Sequence, residues 1–440
     1  MKASTNQWGP SPAGLPEQQR GNSASVSFIL IAPLIGYIAS LWLVRPLALG
    51  DTFSLTLLAP ALMLVGLLTI RVPRQFVLNR LSKVGVEFSL LVVIVILSFM
   101  SMVNAEEPIR AFRIIYPGVL PGVIFLHLVV VCYIAPNILL KIPRYLIISA
   151  VIFSVIPLIL SMVVGPLRDY LFVSYRMRGF FENSIQHSIA LGVMMPLVVV
   201  ELSTAKKKLK KVAWACLILI MVYTTFQAGS KSVMVMSSLA GLMLFTVLEF
   251  RSRNFFRISA VLIGLVMFGL FMWAFGLTLA EKINPTIAEK LRSIIEGGVS
   301  NYQSIESRKE LWREAMEQGK RHWLIGTGAG EKVLGISHSH NLVLDYFKGI
   351  GVFGAASIAF LCLTILSRTA YKTLWVLRGL GGESDIRILG CYFGASLYVI
   401  CNQLSDCFGP STVGFLWIVY LAGRMSEGVN TSSGDLQSSR

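Results

Sequence analysis

Apolar residues in this chain collect in long uninterrupted blocks. Residues 85–103 and 184–201, for example, each carry a single charge, Glu87 and Glu201. Blocks of about 18–22 residues are long enough to cross a hydrocarbon core of roughly 30 Å as helices. Only 14% of the 440 residues are charged and 55% are hydrophobic, against about 25% charged in soluble domains. The pattern predicts a polytopic all-α membrane protein and excludes soluble enzymes and scaffolds.

Twelve spans are expected, at roughly 27–48, 52–70, 85–103, 117–135, 145–164, 184–201, 212–228, 232–250, 258–279, 342–366, 388–405 and 411–424, the last being short. The chain thus divides into a disordered tail (1–25), spans one to nine (26–279), a long polar loop (280–341), spans ten to twelve (342–424) and a second tail (425–440). The first tail is rich in Ser, Gly, Pro, Gln and Asn and lacks the basic start and short apolar run of a cleavable signal, so the first span is expected to be retained.

The net charge of +16 does not point to nucleic acid, because Lys and Arg fall in runs between spans, at 71–83, 141–144, 206–211, 251–257 and 368–387. Loops left in the cytoplasm carry such an excess. Alternation from a cytoplasmic N-terminus puts all five runs inside and the 280–341 loop outside. Six Cys show no CxxC pair and no metal or disulfide framework.

The long loop is too large to be structureless. Helices are expected at 286–296 and 304–320, the second with an apolar stripe of Ile305, Leu311, Trp312, Ala315 and Met316. Gly-Thr-Gly-Ala-Gly at 326–330 lacks the Lys-Ser or Lys-Thr of a phosphate loop and reads as a flexible turn.

Three groups could carry chemistry. Gly-Ile-Ser-His-Ser-His-Asn at 335–341 brings His338 and His340 to the outer end of span ten. An imidazole there can take a hydroxyl proton; a polar interfacial turn is the alternative, and two His alone are too few for a metal. Arg176, Arg178, Lys231, Arg308 and Arg313 are cations on the outer side, where short loops avoid them. Together they would suit an anion such as pyrophosphate. His187, Asn402, Gln403 and Asp406 are costly in lipid and should face the bundle interior or a water-filled cavity.

His340-Asn341, nine residues, then Gly351-Val-Phe-Gly354 resembles the His-Asn/Ser/Gln, nine, Gly-x-x-Gly signature of bacterial O-antigen ligases. The wording of 337–345 is similar to the wider ligase and polymerase superfamily, as are Arg178–Asn183 and Arg308-x3-Trp312 leading to Ile325–Gly328. The resemblance implies a metal-independent, GT-C-like glycosyltransferase of the bacterial inner membrane that needs no cofactor. Its donor would be a glycan on undecaprenyl pyrophosphate, and its acceptor, at the periplasmic face, lipid A–core or another lipid-linked glycan. It implies His340 as general base, Arg308, Lys231 and Arg178 at the pyrophosphate, and His338, Asn341, Gly351 and Gly354 in support. Where the family has Ser-Arg, this chain has Ser230-Lys231. That change weakens bidentate clamping and leaves polymerase open beside ligase, with a protein-glycosylating relative as a third option. A twelve-helix polysaccharide or lipid transporter is the rival from another class, although the halves show no repeat.

Overall fold

The computed structural model describes residues 23–44, 70–105, 108–173, 176–251, 303–328, 331–336, 339–403 and 410–427, with isolated positions between them. The helices are α1 (Ser23–Trp42), α2 (Arg74–Leu81), α3 (Gly85–Ser101), α4 (Pro108–Ile134), α5 (Pro136–Ser161), α6 (Gly165–Leu171) and α7 (Ser184–Thr204). They continue as α8 (Lys208–Gln227), α9 (Lys231–Arg251), α10 (Gln303–Arg321), α11 (Leu342–Leu377), α12 (Glu383–Asn402) and α13 (Pro410–Ser426). Two-residue antiparallel pairs, β1 (Ala48–Leu49) with β2 (Phe53–Ser54) and β3 (Phe172–Val173) with β4 (Arg176–Met177), lie between α1 and α2 and between α6 and α7.

Seven of the described helical stretches are long and apolar enough to cross a membrane, and shorter apolar helices occupy Leu30–Trp42, Gly118–Ile134 and Thr412–Ser426. Expected spans two and nine, and the expected helix at 286–296, lie largely outside the described residues.

Helices α7, α12 and α13 form the centre. The backbones approach closely where one has no side chain: a Cβ on Gly394 of α12 would lie 2.7 Å from the Val193 carbonyl oxygen of α7. A Cβ on Gly414 of α13 would lie 2.6 Å from the Tyr37 hydroxyl of α1. Small residues at such contacts let membrane helices gain dispersion energy without a hydrophobic drive. Span twelve, the shortest expectation, is thus an interior helix, buried from Thr412 to Met425. Span ten, expected at 342–366, runs to Leu377 and is broken at Ile350–Gly351.

Two histidines inside the bundle face polar partners, as lipid favours. His127 Nδ1 lies 3.0 Å from the Met63 carbonyl and its Nε2 3.1 Å from the Leu30 carbonyl, one of which accepts the ring N–H of the neutral imidazole. His187 faces inward as expected; its Nε2 meets Ser154 Oγ at 2.7 Å, in a π-turn of α5, and its ring stacks on Phe181.

Side-chain contacts separate the two ends of the bundle. At one end Glu201 binds Arg144 (3.0 Å) and Arg387 (2.7 Å), Lys372 binds Asp385 (2.5 Å), and buried Glu87 accepts from the Tyr420 hydroxyl (2.5 Å) beside Arg424. The basic runs described by the structure cluster there. The 171–183 segment, the Gly229 turn, α10 and the start of α11 gather at the other.

Candidate functional site

The site is built on the N-terminal edge of α11. Asn341 caps the helix, its Oδ1 accepting the Leu344 N–H at 3.0 Å, and its Nδ2 donates to the Gln403 carbonyl at 3.5 Å. Asp345, in the first turn where the helix dipole favours an anion, accepts the Ser339 N–H at 2.6 Å. Between these anchors His340 adopts φ 60°, a left-handed conformation that a non-glycine residue rarely takes. Its Nδ1 is buried although the residue as a whole is only half-buried. The chain thus bends to present one imidazole at the top of the bundle. His338 lies outside the described residues.

Helix α10 packs across this edge. Gly319 abuts the Phe347 ring, and Leu311, Ala315, Val333 and Leu344 form an apolar cluster. Of the expected stripe, Leu311 and Ala315 are buried and Trp312 half-buried, but Met316 is 37% exposed. The buried face continues to Gly319 instead, because 311, 315 and 319 recur at four-residue spacing. Gly319 meets Phe347, and the cluster containing Leu311 and Ala315 meets Leu344, so α10 runs alongside the first turns of α11. Arg308 lies about two turns before Ala315 on α10, and His340 precedes the first turn of α11. Arg308 is half-buried and makes no hydrogen bond or ion pair among the described residues.

The glycines of the signature shape the backbone. At Gly351 (φ 78°, ψ −172°) α11 breaks, and the segment after α10 docks into the break. Val352 N–H donates to the Trp323 carbonyl (2.8 Å), Thr327 N–H to Lys348 (2.8 Å) and Gly328 N–H to Gly349 (3.2 Å). A Cβ on Gly351 would fall 2.1 Å from the Leu324 oxygen, and one on Gly326 2.3 Å from Gly349. Asn104 Nδ2 adds a bond to the Gly326 carbonyl at 3.2 Å. Residues 326–328, read from sequence as a flexible turn, are therefore clamped in place, and the backbone groups freed by the break are satisfied. Buried Lys348 completes the brace by donating to the Glu331 carbonyl. Gly354 packs under the Ile350 side chain.

The outer cations divide. Arg176, grouped with the candidate ligands, holds the turn before α9: its Nε donates to Ala228 (3.1 Å) and its Nη2 to Gly229 (3.4 Å). These are carbonyls at the C-terminal end of α8, where cations are favoured. Lys231 is the first residue of α9, immediately beyond that turn. Arg178 follows β4, with its N–H on the Leu171 carbonyl at 2.9 Å, and Gly179 (φ 59°) rests on the His187 ring. Sequence reasoning missed Asp345, Ser339, Lys348 and the role of Arg176. Ser339 and Asp345 stood inside the 337–345 wording, which gave no sign of the bond between them. Asp406 lies outside the described residues. Below His340 an apolar cavity is lined by Leu342, Tyr346, Tyr398 and Trp417.

A bundle of apolar, membrane-length helices with a polar, braced cap at one end defines a multi-pass membrane protein. Residues 216–359 match the model of a family described as O-antigen ligase, and the match supports membership of the O-antigen ligase and polymerase superfamily. That segment contains Lys231, Arg308, His340, Gly351 and Gly354, whereas Arg178 precedes it. A search of curated proteins finds no match.

Proposed function

We propose that the protein is a metal-independent O-antigen ligase, moving a glycan from undecaprenyl pyrophosphate to lipid A–core at the periplasmic face of the bacterial inner membrane. The observation that supports this reading is that α10, whose Arg308 has no partner among the described residues, packs along the first turns of α11 behind the left-handed His340, inside the matched segment. In the reaction His340 takes the acceptor hydroxyl proton, with Nε2 facing the acceptor because Nδ1 is buried. The new C–O bond forms on one face of the anomeric carbon while the sugar–phosphate bond breaks on the other, inverting configuration. The electron pair leaves with the pyrophosphate, whose charge Arg308, Lys231 and Arg178 neutralise in a water-poor site. Apolar grooves between spans hold the prenyl chain, and with twelve spans of GT-C-like layout both termini are cytoplasmic.

A polymerase joining lipid-linked repeat units is the second reading, favoured by Ser230-Lys231 in place of Ser-Arg. The surface glycan of a deletion strain separates the two. Free long chains with bare core indicate the ligase, core capped by one repeat unit indicates the polymerase, and unchanged glycan removes both. In the complemented strain His340→Ala is expected to abolish transfer at normal membrane levels, since general-base catalysis supplies about 10²–10⁴-fold. Near-normal transfer by that variant would refute the role given to His340.

A further inference from the structure

The end of α10 carries a feature that neither catalysis nor folding uses. Lys320, Arg321 and His322 are exposed, and the next three residues, Trp323, Leu324 and Ile325, are 55%, 45% and 40% exposed. Exposed apolar triplets usually belong to loose segments, but this backbone is fixed. The Trp323 carbonyl receives the Val352 N–H at 2.8 Å, and Gly326 N–H closes on the His322 carbonyl at 2.7 Å. The fold therefore holds three large apolar side chains outward.

What they meet follows from their neighbours. Val352 and Phe353, at the docking point on α11, are 36% and 58% exposed, and Phe360 and Leu363 farther along the helix are 61% and 56% exposed. Positions 353, 360 and 363 recur at helical spacing and form one face. On a membrane-spanning helix such a face meets acyl chains. Trp323–Ile325 continue that stripe to the break in α11, where the unbroken stretch 352–377 begins; Trp concentrates at the ends of membrane-crossing stretches. The three basic residues precede them at the C-terminus of α10. The helix dipole accounts for a preference for cations there, but not for the apolar triplet that follows. Arg321 and His322 have no ion-pair partner among the described residues, and Lys320 pairs with Glu317 at 3.1 Å where both are exposed, a contact of little strength.

We propose that residues 320–325 form an amphipathic shoulder that docks on an anionic lipid surface, in the leaflet at the His340 end of the bundle. Trp323, Leu324 and Ile325 enter the acyl boundary, and Lys320, Arg321 and His322 meet headgroup phosphates, each cation near such a surface adding attraction. Because the shoulder continues directly from α10, its docking sets the height of Arg308 above the membrane plane. The proposal stands on exposure and charge and does not depend on the reaction assigned above.

The test uses the full chain in lipid nanodiscs of mixed phosphatidylglycerol and phosphatidylcholine, with bromine on the acyl chains of one lipid or the other. Subtracting the emission of Trp323→Phe from that of the wild type isolates Trp323 among the eight Trp. Loss of this difference emission in brominated discs is expected, and greater loss with brominated phosphatidylglycerol. Undiminished Trp323 emission would show that the shoulder does not enter lipid, and equal quenching by the two lipids would remove the anionic preference. Both comparisons need no charge variant, so they hold even where one fails to insert. Lys320→Glu with Arg321→Glu should erase the phosphatidylglycerol preference, and its persistence would overturn the role of these charges.

Discussion

Asp345 Oδ1 accepts the backbone N–H of Ser339 at 2.6 Å, and the residue that follows Ser339 is His340, at φ 60°. A carboxylate one turn into a helix thus closes a loop over the residue assigned to proton transfer. A left-handed residue other than glycine costs about 1–2 kcal/mol, so releasing the brace should deplete the productive conformation roughly tenfold. Asp345→Ala is expected to lower the rate of glycan transfer by about that factor at unchanged membrane levels. Asp345→Asn, which keeps the acceptor oxygen, should retain most activity. Full activity in the Ala variant would show that the bond does not position His340.

The docked segment makes a contrasting prediction. Gly351→Ala places a Cβ 2.1 Å from the Leu324 oxygen, whereas at Gly335 (φ 79°) an added Cβ meets nothing within 4 Å. Both variants bear the left-handed strain, but only the first adds a backbone clash, typically costing about 1–3 kcal/mol more. Thermal unfolding in detergent should therefore drop well below wild type for Gly351→Ala and only slightly for Gly335→Ala. Equal midpoints would mean that the break in α11 is not held as described.

How far the sequence could lead is visible in these residues. The motif from His340 to Gly354 could be read because its spacing is local. The brace could not, since a bond from Ser339 to Asp345 exists only once the chain turns left-handed between them. Span ten reads as continuous because hydropathy does not register a two-residue break, and Gly326–Gly328 looked flexible because glycine serves loose turns and close backbone approach alike. Helix α13 looked marginal as a span for a related reason: small residues such as Gly414 reduce hydropathy while permitting the close packing that buries it.

Arg176 should act through the turn it clamps. Its guanidinium bonds the Ala228 and Gly229 carbonyls, and Lys231 begins the next helix. Lys231→Ala is expected to lose most transfer activity and Lys231→Arg to preserve or improve it, because the guanidinium fork binds phosphate oxygens bidentately. Arg176→Ala should lower activity less, and adding it to Lys231→Ala should cost little further, since residues sharing one function are not additive. Additive losses in the double variant would separate Arg176 from Lys231.

The opposite end of the bundle supplies a prediction for stability without chemistry. Glu201, 5% exposed, accepts from Arg144 at 3.0 Å and from Arg387 at 2.7 Å. The Arg387 side chain is 13% exposed and that of Arg144 48%, so removing the carboxylate leaves Arg387 inside the fold with only exposed Glu383 at 3.0 Å, and Arg144 near the surface. Losing one partner of a buried pair costs about 3–5 kcal/mol, and part of that is relieved here by solvent reaching Arg144. Seventeen residues of α7, about 25 Å at the helical rise, separate Glu201 from the His340 end. Glu201→Ala should therefore lower the yield and thermal midpoint of the purified protein, with Glu201→Gln falling between it and wild type. Transfer per folded molecule should stay near wild type. A loss of specific activity at full thermal stability would instead couple this network to the outer site.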